Sequence, residues 1–516
     1  MSAQWRLAPQ QPADVDAVVV PVFAGELPAD LTAAFLAGTG FTGALGQVLH
    51  LPGEPVRVLW GCGPRAALDP TTTRTAAAHL ARAVRDHRRL ALHAPGPALR
   101  ELAEGYLLGA YRYAGHFSTE EAVRRTAPDQ VIDLLPAEAA TESAHHAGPT
   151  TESAHHAGPT AEAAHHTGST AEAAPETARH SGPATEAALA AGLRVGAAVA
   201  LARDLVNEPG AELTPPLFAE RALKLAAETG LECEVWDAQR IAHERLGGLL
   251  GVSRGSLVPP RLVRLRYRPA GGSERRIALV GKGVTYDAGG LALKPNAELA
   301  TMKADMAGAA AVLAAMSVLP ALSCPVAVDG WLPLTENMPN ADPIRVGDVL
   351  TMRSGTTVEV RHADAEGRLI MADALTLAAE TRPDAILDLA TLTDAAAVAL
   401  GRRIAAVMAT DEELLARLLA ASARAGERCW PLPLPPDYGG QLHSRVADLV
   451  NYTLGVRHGT AMLAGLFLQH FVPPGTPWAH LDIQGTALSD ADDPEWGLGG
   501  TGFGVRTLVE LLTAGG

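Results

Sequence analysis

Along this chain, short apolar runs rich in β-branched residues take turns with alanine-rich stretches of helical period, in two blocks. In the first block VDAVVVPVF (15–23), VRVLW (56–60), RLALHAPG (89–96) and VIDLLP (131–136) read as strands, with helices at 74–87 and 98–115. The second block opens on an Ala-rich helix at 186–207. Its strands are LECEVWDA, LVRLRYRP, RIALVGKG, VAVDGWLP, DVLTM, TTVEVRH and AILDLATL, and MKADMAGAAAVLAAMSVL reads as a helix. Such alternation implies sheets covered by helices. The expected class is α/β: a small N-terminal α/β domain (1–136) and a larger C-terminal domain (186–516) with a mixed sheet between helices. The candidate chemistry falls in the larger domain.

Between the blocks, TESAHHAGPT occurs twice (141–160) and a looser copy, AEAAHHTGST, follows at 161–170. These copies hold six of the chain's 18 histidines, and His-rich tracts are a recognised metal-binding composition. Yet Gly148-Pro149 and Gly158-Pro159 break helix and strand alike. On a helix, ten residues at about 100° each would leave successive His pairs about 80° out of phase. Residues 137–185 therefore read as a low-complexity His/Ala/Gly/Pro linker, with weak metal binding as the alternative.

The net charge of −15 repels nucleic-acid phosphates and anionic membranes. The basic cluster ARAVRDHRRL (82–91) reads as the solvated end of a helix, so nucleic acid is not an expected partner. No apolar run reaches the roughly 18–20 residues of a membrane span, and the N-terminus lacks the pattern of a signal peptide. Four cysteines, far apart and without CxxC, give neither a disulfide framework nor a thiolate metal site. A cytoplasmic protein is expected.

Charged groups concentrate in VGKGVTYDAGGLALKP (280–295), MKADMAG (302–308) and HADAEGRLIMADA (362–374). The first holds Lys282, Asp287 and Lys294, the second Asp305, and the third Asp364, Glu366 and Arg368 at alternating positions. A phosphate loop is excluded, because Arg276 and Gly283 stand where GxxxxGK[ST] needs Gly and Ser or Thr. Four carboxylates at strand ends and loops suit hard or borderline divalent cations. Two such ions would balance their charge, and ions about 3.5–4 Å apart can share and acidify a water.

These segments resemble the leucyl aminopeptidase family of dinuclear metal exopeptidases. VGKGVTYDAGGLALKP, MKADMAGAAAV and DAEGRL match its signatures in order and spacing; RDLVNEPGAELTP, LGGLLGVSRGS and WAHLDIQGTA match further segments. The likeness covers about 188–516, whereas the N-terminal region fits only through its α/β pattern and EGYLLGAYRY. It implies that Lys282, Asp287, Asp305, Asp364 and Glu366 hold two divalent ions per subunit. The same ligands accept Mn²⁺, Zn²⁺, Mg²⁺ or Co²⁺. Asp287 and Glu366 would bridge both ions, and a lysine can ligate only as the neutral amine. A metal-bridging water would attack the first bond of a peptide with a free N-terminus. Lys294 would stabilise the oxyanion, and Arg368 would hold a bicarbonate acting as general base. A homohexamer is also implied. Two readings compete with a general aminopeptidase: a non-catalytic regulatory or binding protein on the same fold, and a specialised dipeptidase, for instance for cysteinylglycine.

The chain departs from the family pattern in three places. His362-Ala363 precedes DAEGR where Asn-Thr is usual, so His362 is a candidate ligand or, better, a hydrogen-bonding neighbour of the ligands. Asp394 replaces the glycine of ATLTG, and Gln484 replaces the alanine of DIAG. The resemblance puts both in the pocket for the substrate's N-terminal side chain, with Met302, Thr391 and Ala487. A carboxylate there would favour polar or basic residues over leucine. Alternatively, Asp394 merely caps the helix beginning AAAVAL.

Overall fold

The structure is a computed structural model that describes residues 3–118, 129–136 and 182–514. The chain forms two compact units, one from Met1–Tyr106 and Ala127–Gly192, the other from Leu107–Thr126 and Leu193–Gly516. The expected linker lies outside the described residues, apart from its last four positions. Among the described residues no helix is long and apolar enough to cross a membrane.

In the first unit six strands run in the order Ala3–Leu7, Gln130–Leu135, Arg89–His93, Ala17–Val22, Val56–Gly61 and Val48–Leu51. All neighbours are parallel except the last pair. Sequence reading found the four inner strands and missed the two edges. AQWRL and VLHL hold no uninterrupted apolar run, because an edge strand buries less of itself. The helix expected at 74–87 spans Pro70–Ala83 instead. Asp69 accepts a hydrogen bond from the Thr72 amide at 2.7 Å and Pro70 takes the first helical position, so the start is fixed four residues earlier.

The second unit is built on a nine-stranded mixed sheet. Its order is Cys429–Pro431, Ala405–Ala409, Trp478–Asp482, Ala385–Ala390, Arg276–Gly281, Ala327–Asn337, Arg261–Tyr267 and Glu232–Trp236, with Gly283–Asp287 paired to the far part of Ala327–Asn337. The strands Trp478–Asp482, Ala385–Ala390, Arg276–Gly281, Ala327–Asn337 and Gly283–Asp287 are mutually parallel. Arg276–Gly281 shows why helices cover both faces. Ile277 and Leu279 join the core around helix Ala307–Val318, while Ala278 and Val280 join the core around helix Gly367–Glu380. A strand apolar at successive positions serves two cores at once. All twelve residues of Ala307–Val318 are buried, as a helix apolar on every side must be.

Candidate metal centre

Parallel strands end on a common edge, and in open α/β sheets ligands collect outside that carboxyl edge. Here Arg276–Gly281 leads directly to Lys282, Ala385–Ala390 leads to Thr391, and two further strands end on Asp287 and Asn337. The helix expected from 302 is broken. A short 3-10 turn, Met302–Ala304, precedes helix Ala307–Val318, and Asp305 sits in the break with its carboxylate at the same edge. Asp364 and Glu366 precede helix Gly367–Glu380, and Arg368 lies in its first turn. A Cβ at residue 367 would stand 2.5 Å from Lys282 Cε, so glycine lets this helix begin against the lysine without displacing it. Gly289, at φ +86°, turns its N–H back to Asp287 Oδ1 at 2.8 Å.

The charged groups interlock. Lys282 Nζ donates to Asp305 Oδ1 and to the Thr391 carbonyl, both at 2.7 Å, and lies 3.0 Å from Glu366 Oε1. Lys294 Nζ lies 2.9 Å from Asp287 Oδ2 and 2.5 Å from Asp364 Oδ1. The Asn337 amide donates to Asp287 at 2.8 Å, to the Ala363 carbonyl at 3.1 Å and to Glu366 at 3.4 Å. Burial alone would drive Lys282 and Lys294 toward the neutral amine, but the surrounding carboxylates outweigh it and raise both. Burial and mutual repulsion raise the acids: Asp364 is pushed up to about 7, and Asp305 and Glu366 also lie above the usual carboxylate range. Lys282, Lys294 and Arg368 moderate that rise only in part. Arg368 is itself lowered to about 10 by burial.

The donor set fits divalent ions. Oxygens of Asp287, Asp364 and Glu366 lie within 4.8 Å of one another. Asp305 Oδ2 is buried without a hydrogen-bond partner, a state that is costly unless a cation completes it. All the sequence-predicted residues meet around two adjoining cavities. The first is lined by Lys282, Asp287, Lys294, Met302, Asp305, His362, Asp364, Glu366, Arg368, Thr391, Asp394 and Gln484. The second shares Met302, Asp305, Thr391, Asp394 and Gln484 and adds Ala487. His362 stands beside the carboxylate trio: its Nδ1 accepts the Asp364 amide at 3.2 Å, and its ring packs on Tyr452.

Residues 200–509 match the model of the cytosol aminopeptidase family, catalytic domain. The chain belongs to the cytosol aminopeptidase family. It is a hydrolase of the leucyl aminopeptidase type, in a metal-dependent family. A probable cytosol aminopeptidase of Leifsonia xyli is 40% identical over 503 residues, covering 93% of this chain and 90% of the relative. One from Syntrophotalea carbinolica is 48% identical over 318 residues, covering 62% of this chain and 63% of that relative's length. Among solved structures, the bottromycin maturation enzyme BotP in complex with Mn is 40% identical, with a TM-score of 0.81 and coverage of 97% and 99%. A tomato leucine aminopeptidase mutant is 27% identical, with a TM-score of 0.81 and coverage of 99% and 97%.

This aminopeptidase also relies on residues that sequence reading overlooked. Asn337 joins two of the carboxylates. Asn451 pins the loop before Asp364: Oδ1 accepts the Arg361 and His362 amides at 2.7 and 3.3 Å, and Nδ2 donates to the His362 carbonyl at 2.8 Å. The Asn451 carbonyl also accepts from Arg368 Nη1 at 2.8 Å. Both asparagines are fully buried, which a single sequence does not reveal.

Proposed function

We propose that this protein removes N-terminal residues from peptides, and that Lys282, Asp287, Asp305, Asp364 and Glu366 would together hold two divalent ions. When bound, the ions would supply an acidified water and polarise the first peptide carbonyl. One observation carries this reading: three buried carboxylates and a half-buried fourth, Asp364, gather at one sheet edge, and Asp305 has a buried oxygen aimed at no protein donor. Lys282 would give up its Nζ proton on loading, since only the free amine ligates. Lys294 keeps its positive charge beside Asp287 and Asp364, where it would stabilise the oxyanion that develops on the substrate. Arg368 is buried with Nε unpartnered, which suits it to hold a small anion such as bicarbonate as general base.

BotP in complex with Mn makes Mn²⁺ the first ion to test, with Zn²⁺, Mg²⁺ and Co²⁺ as competitors. We further propose a homohexamer, a division into residues 1–136, 137–185 and 186–516, and a reducing cytoplasmic home consistent with four free cysteines. The decisive experiment measures hydrolysis of aminoacyl reporters and of cysteinylglycine under each metal, for wild type and Asp364→Ala. Turnover of several reporters that Asp364→Ala loses is expected. Turnover of cysteinylglycine alone would replace the reading with a dipeptidase. No turnover by wild type under any metal would replace it with a non-catalytic binding protein.

A further inference from the structure

The cavity beside the metal-site cavity takes up about 460 Å³ and carries a charge that its own walls leave unmatched. The two cavities share a wall at Met302, Asp305, Thr391, Asp394 and Gln484. A substrate held by its amine and first carbonyl at the carboxylate cluster would pass its N-terminal side chain along this wall.

Asp394 is exposed there. Its carboxylate does not cap the helix, because Thr393 does: Thr393 Oγ1 accepts the Ala396 amide at 3.2 Å and donates to Asp482 at 2.7 Å. The expectation that Asp394 caps this helix is thus corrected; it is the first helical residue. Its recorded partner is neutral, the Gln484 amide at 3.2 Å. The cavity's two cations are engaged elsewhere. Arg402 pairs with Asp490 at 3.1 Å, and Lys303 Nζ donates to the Asn207 carbonyl at 2.5 Å. Among the described residues, no cationic side chain pairs with Asp394. Met302, Ala397 and Ala487 line the cavity with apolar surface. An apolar wall leading to a carboxylate suits a side chain with an alkyl stem and a cationic head.

We propose that Asp394 is a specificity-determining residue that selects peptides whose N-terminal residue is arginine or lysine. The selection rests on the aminopeptidase reading, and Gln484 orients the carboxylate by its single hydrogen bond.

The test compares kcat/KM of the Mn²⁺-loaded enzyme on arginyl and citrullyl reporters, which share shape and differ in charge. Wild type should prefer arginine by about tenfold or more, the usual scale of a hydrogen-bonded charge. In Asp394→Asn the ratio should fall to about one, and in Asp394→Glu it should survive. Because it is a ratio, a general loss of activity leaves it readable. Calorimetry with arginine amide and citrulline amide measures the same preference without turnover. If no reporter is cleaved, the aminopeptidase reading fails while the amide affinities still decide the role of Asp394. An arginine-to-citrulline ratio near one in wild type, or one unmoved by Asp394→Asn, overturns the proposal.

Discussion

At the residue scale, the site combines groups whose charges are costly alone and compatible together. Asp305 is the clearest case: Oδ1 takes hydrogen bonds from Lys282 and Thr391, and buried Oδ2 has no hydrogen-bond partner, the position the proposed cation would fill. Asp305→Ala should therefore lower the metal bound per subunit, read by elemental analysis, and reduce kcat/KM by about 100-fold or more. Asp373 tests burial without metal chemistry. It accepts the Leu249 and Arg353 amides at 3.0 and 2.8 Å, yet burial pushes it up to about 7. The folded protein then keeps a proton that the unfolded chain releases near pH 4, so this group's contribution to stability falls as pH rises from about 4 to about 7 and is flat above. Asp373→Asn imitates the protonated form. With chelator present, its denaturation midpoint should change less between pH 5 and 7.5 than that of wild type. The clustered carboxylates were legible in the sequence because Gly-rich turns bunch them within short segments. Asn337 and Asn451 were not, since an amide becomes informative only when its burial is known.

At the element scale, the breaks and starts of helices aim the site. From sequence alone RIALVGKG reads as a strand, and the structure ends it at Gly281, so that Lys282 stands just past the strand end. The interruption at Asp305 could not be read, because in MKADMAGAAAVLAAM the helix formers on both sides, Met302 to Ala304 and Ala309 to Met316, mask the weak signal of Asp305 and Gly308. What breaks it is tertiary: Val284 donates to the Asp305 carbonyl at 3.2 Å, and Ala309 donates to the Lys282 carbonyl at 2.9 Å. Gly367→Ala should leave far-ultraviolet circular dichroism unchanged and cut kcat by about 100-fold, because the new methyl group displaces Lys282. Thr393→Ala removes a cap and a partner of Asp482, and should lower stability by about 1 kcal/mol or more in thermal unfolding. The edge strands Ala3–Leu7 and Val48–Leu51 escaped notice for a complementary reason: half-exposed strands tolerate polar residues that interrupt an apolar run.

At the scale of the whole molecule, the α/β architecture and its two large sheets followed from alternation alone, while strand order, and the small three-stranded and two-stranded sheets beside them, depended on pairings that no local pattern encodes. The paired histidines of 141–170 lie outside the described residues, and the carboxylate cluster at the sheet edge is built without any histidine among its members. Deleting residues 141–170 should leave metal content and reporter turnover close to wild type; a large loss of either would show that the tract serves the metal site. Removing the ions with chelator should abolish turnover, retain secondary structure and lower the melting temperature by about 5–15 °C. Secondary structure should persist because the centre contains its own lysines. Lys282 and Lys294 already lie against all four carboxylates, as internal counter-ions. A newly made chain would thus close its sheets before meeting any metal, and loading of the proposed centre would exchange protons for cations at a finished edge. Which cation enters first is then a matter of cellular supply, and the same polypeptide could mature differently as that supply changes.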